Sequence, residues 1–195
     1  MARKKTITRK TTETDISVEI NLDGDGTGQI STTIPFLDHM LVLLARHGFI
    51  DLTVQASGDT NVDYHHLVED LGICLGRAVK GALGDKKGIG RYGSAFVPMD
   101  ETLCHVCIDM SGRPYLVFMA DFGGKKIRDF DPILLEEFFK AFSDHGGITL
   151  HVNVKYGKNP HHIAEAIFKA CARALKEAVR MDDRIQGVLS TKGSL

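Results

Sequence analysis

His65-His66-Leu67-Val68-Glu69 returns ninety-six residues later as His161-His162-Ile163-Ala164-Glu165, and this repetition decides the fold. At the same offset Arg77, Ala78, Lys80 and Ala82 recur as Arg173, Ala174, Lys176 and Ala178. The apolar positions Leu67, Val68, Leu71, Cys74, Leu75, Ala78 and Val79 map onto Ile163, Ala164, Ile167, Ala170, Cys171, Ala174 and Leu175. That spacing is one buried stripe on a helix, so each copy predicts an amphipathic helix opening near a double histidine. Upstream, residues 45–54 match 143–152 at an offset of ninety-eight, and Leu37-Asp38-His39-Met40-Leu41 matches Leu135-Glu136-Glu137-Phe138-Phe139. His39 and Glu137 therefore hold equivalent places.

Working outward, each half reads as strands, a helix (about 36–47 and 132–145), a strand (about 49–56 and 148–155), a loop and the double-histidine helix. Strand composition at 5–10, 15–22 and 28–34 opens the first half, and at 92–98, 102–110 and 114–121 the second. Asp23-Gly24-Asp25-Gly26 and Ser111-Gly112-Arg113-Pro114 are the turn signals between them. The prediction is an α+β fold by internal duplication, a mixed sheet in each half covered on one face by two helices. The halves, 1–88 and 89–195, join through a hinge at 84–91. A half of about 97 residues is small to stand alone, so the two are expected to form a single domain.

Composition narrows the function. The chain has 195 residues, 43% hydrophobic and 25% charged, which is the balance of a globular protein rather than a disordered or fibrous one. Lys plus Arg number 24 and Asp plus Glu 25, a net charge of −1. No global field favours nucleic acid or anionic membrane, and the basic opening Arg3, Lys4, Lys5, Arg9, Lys10 reads as the lead-in to a strand. Apolar runs are too short to span a bilayer and no secretory leader is evident, so a cytoplasmic location is expected. Four cysteines do not suggest a disulfide framework. Cys104 and Cys107 have CxxC spacing, but on a strand residues three apart face opposite ways and cannot grip one ion together; all four are expected to be buried and structural.

Nine histidines are many, and four form the two pairs. On a helix His65 and Glu69 differ by about 40° and His66 and Glu69 by about 60°, whereas His65 and His66 diverge by about 100°. One ion does not easily take both rings. Each pair is therefore expected to serve two different ions, the two repeats supplying matched halves of a two-metal site, with His39 and Glu137 as further ligands. His47 and His145, beside glycines at helix ends, and His105 and His151, in strands, are expected to be structural or interfacial. Arg91, Arg113, Lys169 and Lys192 are cations near loops or on the second metal helix that together would hold a phosphate.

From about Arg9 to Leu195 the chain resembles the imidazoleglycerol-phosphate dehydratase family. The resemblance rests on Thr12-Glu13-Thr14, Phe36-Leu37-Asp38-His39-Met40-Leu41, Arg46-His47-Gly48, His65-His66 with Glu69-Asp70-Leu71-Gly72-Ile73, Pro98-Met99-Asp100-Glu101, Ser111-Gly112-Arg113-Pro114, Asn159 before His161-His162 with Glu165, Phe168-Lys169-Ala170, and Ser190-Thr191-Lys192-Gly193. It implies a fold like domain 2 of ribosomal protein S5, and a hydro-lyase that converts imidazole glycerol phosphate to imidazole acetol phosphate through an imidazolate stabilised by two manganese ions. It implies that His39, His66, Glu69 and His161 hold one ion, and His65, position 137, His162 and Glu165 the other. Position 137 is usually His in the family and is Glu here. It further implies Glu13 and Glu165 as acid or base, Arg91, Arg113, Lys169, Ser190 and Lys192 on the phosphate, and an assembly of 24 copies with sites between chains. Thr33-Ile34-Pro35, Val42, Leu43 and Leu189 depart from the usual pattern.

Two other classes fit the ligand pattern. A non-catalytic metal-storing oligomer would take up metal regardless of Glu13→Gln or Arg113→Ala, and a two-metal phosphohydrolase would release inorganic phosphate. Two-metal phosphohydrolase sites are, however, typically richer in carboxylates.

Overall fold

A computed structural model describes residues 3–193. The first half forms a four-stranded sheet from β1 (Lys4–Lys10), β2 (Thr14–Asn21), β3 (Gly28–Ser31) and β4 (Asp51–Gly58), in the order β1-β2-β4-β3. The second forms another from β5 (Tyr92–Met99), β6 (Thr102–Asp109), β7 (Tyr115–Met119) and β8 (Thr149–Tyr156), in the order β5-β6-β8-β7. In each, three strands are antiparallel and the last pairs parallel. The shared topology is the duplication in three dimensions. Helices α1 (Pro35–Gly48) and α2 (His65–Leu83) cover the first sheet, α3 (Leu134–Gly146) and α4 (Pro160–Val179) the second.

The four helices form a middle layer in which the halves exchange partners: α1 packs on α4, and α2 on α3. Small residues make the second contact close. A Cβ on Gly72 would run into the Phe138 carbonyl, and one on Gly76 into that of Phe142. Phe138, Phe139, Phe142 and Phe168 are fully buried around this layer, each stabilising it by about 2–3 kcal/mol through burial. Phe130 joins the helix starts: its ring lies 4.9 Å from Phe36 of α1 and 6.3 Å from Tyr64 before α2, and Phe36 lies 5.6 Å from His161 of α4. The N-termini of α1, α2 and α4 thus gather at one end of the molecule.

Helix limits fall within two residues of those expected. The third strand is shorter, ending at Ser31 rather than at 34. Asp38 takes the Thr32 amide (2.8 Å) and hydroxyl (2.5 Å), and Thr33 turns to a φ of 64°, so the chain leaves the sheet early to enter α1. Segment 84–91 is tied to the end of α4, where the Gly90 and Arg91 amides donate to the carbonyls of Arg180 and Ala178. Among the described residues, no helix is long and apolar enough to cross a membrane.

Candidate metal centre and anion cleft

The double histidines split as their 100° divergence requires. The first ring of each pair points along the helix to the carboxylate one turn on: His161 Nε2 lies 3.2 Å from Glu165 Oε1, and His65 Nε2 lies 3.7 Å from Glu69 Oε2. The second ring points off the helix to a loop carboxylate. His66 Nδ1 meets Asp59 Oδ2 at 3.0 Å and His162 Nδ1 meets Glu101 Oε2 at 2.7 Å. A carboxylate at Nδ1 holds the proton there and leaves Nε2 with its lone pair outward, the arrangement that prepares an imidazole for a metal. These hydrogen bonds raise both histidines above the ordinary imidazole range and hold Glu101 well below the usual carboxylate range.

Among the described residues, two groups of three side chains bring donor atoms within 4.8 Å of one another: His39 with His161 and Glu165, and Glu13 with Asp59 and His66. In the first, α1 delivers His39 to α4, and its Nε2 lies 2.8 Å from Glu165 Oε1. Glu165 is buried. Burial alone would push its carboxyl up, but Lys169 (2.6 Å), His39 and His161 outweigh it and hold it at about 2. Within the chain, Glu165 rather than Glu69 therefore stands beside His39 and His161. In the second group Glu13, at the turn between β1 and β2, lies 3.9 Å from His66 Nδ1. His65, Glu69 and His162 belong to neither group. Glu137 is exposed on the first turn of α3, the helix that packs on α2 as α1 packs on α4.

The expected phosphate ligands divide. Arg91, Arg113, Ser190 and Lys192 line one cleft of about 780 Å³ together with Tyr92 and Arg184. Arg91 sits at a φ of 66°. Asp109 holds its guanidinium by two bonds, 2.7 Å from Nε and 3.1 Å from Nη2, while Nη1 donates to the Leu189 carbonyl at 2.8 Å. Lys169 does not line this cleft and instead pairs with Glu165, one turn along α4. Cleft and histidines lie at opposite ends of α4, because the Arg91 amide bonds Ala178. From His161 to Ala178 the helix rises about 25 Å.

Sequence reading did not assign roles to Asp59, Glu101 or Asp109. Asp59 and Glu101 lie outside the histidine helices, and only Glu101 carried a signal, standing in the quoted Pro98-Met99-Asp100-Glu101. The histidines at 47 and 145 lie at helix ends, partly buried, with burial lowering both below the ordinary range. Cys74, Cys104 and Cys171 are buried, whereas Cys107 is only partly so.

Comparison with known proteins converges on one family. The family model described as imidazoleglycerol-phosphate dehydratase matches residues 32–175. The imidazoleglycerol-phosphate dehydratase of Syntrophus aciditrophicus is 63% identical over 99% of this chain and 98% of its own, and that of Geobacter sulfurreducens 57% identical over the whole of both. Among solved structures, the Staphylococcus aureus enzyme of that name superposes with a TM-score of 0.83 at 39% identity, covering 92% of this chain and 99% of the other. The Pyrococcus furiosus enzyme, in complex with (S)-C348, superposes with 0.84 at 37% identity, covering 97% and 100%.

Proposed function

This chain belongs to the imidazoleglycerol-phosphate dehydratase family and is a hydro-lyase of histidine biosynthesis, and on that premise we propose how its residues act. It dehydrates imidazole glycerol phosphate to imidazole acetol phosphate, in the cytoplasm, with two manganese ions at each active site. One observation carries the reading: the chain builds imidazole and carboxylate donors at one end and a cationic cleft at the other, the two chemistries that a substrate with an imidazole head and a phosphate tail requires.

The donor sets fit manganese, which accepts nitrogen and oxygen together. His39, His161 and Glu165 would hold one ion. The equivalent positions in the other repeat, Glu137, His65 and Glu69, would hold the second. His66 and His162, with Nε2 outward, would complete a neighbouring chain's sets. When bound, the two ions would supply Lewis acidity toward the substrate's imidazole head.

The remaining roles fall to side chains. Glu13, beside His66, faces the reacting hydroxyls and moves the proton of the carbon bearing the second hydroxyl. Glu165 is the second acid or base. Arg91, Arg113, Ser190 and Lys192 orient the substrate by its phosphate. The substrate spans only about 10 Å at ordinary bond lengths, far less than the separation of the two ends. One chain therefore supplies metal donors to one site and its cleft to another. Such sites require a homo-oligomer, for which the family resemblance implies 24 copies. Lys169, at the histidine end, then approaches the phosphate from the metal-donating chain.

Purified protein loaded with manganese should bind two ions per chain and form imidazole acetol phosphate. Two bound ions without that product would sink the proposal.

A further inference from the structure

The repeat that duplicates the double-histidine helices also duplicates the turn beside each of them, and the two turns differ. Between β5 and β6 the turn is Asp100-Glu101, and the Glu101 carboxylate is fully engaged. Its Oε1 accepts the amides of Lys158 (3.1 Å) and Asn159 (2.9 Å) and the Thr102 hydroxyl (3.2 Å), and its Oε2 meets His162 Nδ1 at 2.7 Å. Between β1 and β2 the turn is one residue longer, Thr11-Thr12-Glu13. Here Glu13 is held by its backbone, the amide donating to Thr11 Oγ1 at 3.1 Å and the carbonyl accepting the Asp59 amide at 3.0 Å. Its carboxylate is half exposed and lies 3.9 Å from His66 Nδ1.

The β1–β2 turn is fixed instead by Asp70, a buried carboxylate on α2. Asp70 Oδ2 accepts the hydroxyl of the buried Thr14 at 2.5 Å, and Oδ1 meets Arg9 Nη2 at 2.9 Å. Thr14 Oγ1 lies 3.1 Å from Thr11 Oγ1, which accepts the amides of both Glu13 and Thr14. A carboxylate only accepts, so the Thr14 hydrogen is directed to Asp70 and the Thr11 hydrogen to Thr14, leaving both Thr11 lone pairs for the two amides. In the second repeat Thr102 takes the place of Thr14 and its hydroxyl goes to Glu101 itself, while Ala166 takes the place of Asp70. One repeat ties down its turn with the turn's own carboxylate. The other ties it down with a carboxylate from the helix and leaves Glu13 free.

Taking Glu13 as the acid or base of the dehydration, we propose that Asp70 is its positioning residue. Through Thr14 and Thr11 it sets the Glu13 backbone, so that the carboxylate reaches the reacting atoms without being bound to the protein. Asp70→Asn breaks this chain. The amide oxygen stays with Arg9 and the N–H side faces Thr14, whose hydroxyl turns round to Thr11. Thr11 Oγ1 then meets three donors with two lone pairs, and one amide of the turn is released. Thr14→Val cuts the same chain without touching Asp70 or Arg9, and Thr14→Ser keeps it.

A double-mutant cycle against Glu13→Gln tests this. Asp70→Asn and Thr14→Val should each lower kcat about 10- to 100-fold, the scale of a misplaced catalytic group, with KM within about twofold and manganese content unchanged. In the Glu13→Gln background either change should lower kcat by less than about twofold, and Thr14→Ser should regain most of what Thr14→Val loses. In metal-free protein the amides of Thr14 and Asp59 should exchange with solvent about fivefold faster in both variants, the scale of one lost hydrogen bond. The proposal is overturned if kcat falls equally in both backgrounds, if the fall comes from lost manganese, or if Thr14→Val matches the unaltered chain. Should Asp70→Asn not fold, Thr14→Val and Thr14→Ser decide alone. Glu13→Gln as active as the unaltered chain would instead remove Glu13 from the reaction, and the role of Asp70 with it.

Discussion

The two ends of the helical layer differ in charge and in construction. At the histidine end, carboxylates and imidazoles converge around the starts of α1, α2 and α4. At the other end, guanidiniums and an ammonium gather on loops beside the last turn of α4, where the helix dipole favours cations. Each end is suited to one part of a substrate, and they lie too far apart to share a molecule. Under the proposed function, this difference makes a single chain the holder of complementary halves of different sites, and assembly and catalysis become one requirement.

The comparison is broken most directly by crossing the ends. His161→Ala should disable the histidine end and Arg113→Ala the cationic end, each lowering kcat/KM by at least about 10²-fold. If the ends of different chains meet, reassembling equal amounts of the two variants should restore about one quarter of the unaltered activity, since random heterologous pairing leaves that share of sites with both halves intact. No recovery in verified mixed oligomers would place both halves in one chain and defeat the reading.

A smaller effect sharpens the histidine end alone. Glu101 binds the amides of Lys158 and Asn159 through Oε1 and His162 through Oε2. Glu101→Gln can keep the first oxygen as acceptor while placing an N–H against the ring, which turns the His162 proton from Nδ1 to Nε2. Asp59→Asn should act alike on His66. Manganese affinity should fall about 10- to 100-fold, the range for partners of metal-bound histidine. Nitrogen chemical shifts of the imidazoles in metal-free protein should report the changed tautomer. Unmoved shifts would show that these carboxylates do not set it.

Much of this architecture was legible in the chain because it is written twice. The repeated apolar stripe located α2 and α4, and the divergence of adjacent histidines on a helix foretold that His65 and His66 face different partners. What escaped the sequence depends on which helix packs beside which. Glu165 joins His39 because α1 crosses to α4, a contact between halves that no spacing within one half announces. The same packing places Lys169 against Glu165 rather than in the cleft with Arg91 and Arg113. Asp38 shortens β3 through hydrogen bonds to Thr32 that strand composition does not record.

At the cationic end the expected loss is more modest. Asp109 fixes Arg91 by two bonds on a partly buried pair, and Arg91 in turn holds the Leu189 carbonyl next to Ser190. Asp109→Asn should loosen the guanidinium without removing its charge. KM should rise about tenfold with kcat within about twofold, the pattern of lost uniform binding. An equal fall in kcat would mean that Arg91 acts on the reacting atoms instead of on the phosphate.

The smallest effect lies in acid stability, and it separates the two carboxylates that the repeat makes equivalent. Glu165 is buried and held at about 2 by Lys169, His39 and His161 against the opposing push of burial. The unfolded chain, with this carboxyl near its ordinary 4.5, binds the proton more readily than the folded one. Glu165 therefore contributes stability that is fully present above that value and is lost as the pH falls toward about 2. Metal-free protein should show a urea midpoint that drops more steeply across this window than that of Glu165→Gln, while at neutral pH Glu165→Gln should be the less stable of the two. Glu69 is half exposed, and its partner His65 stands 3.7 Å away. Exposed pairs of that kind contribute about 0–1 kcal/mol, so Glu69→Gln should follow the unaltered chain throughout. Matching acid profiles for Glu69→Gln and Glu165→Gln would show that contact between the halves through α1 and α4 does not distinguish the two repeats.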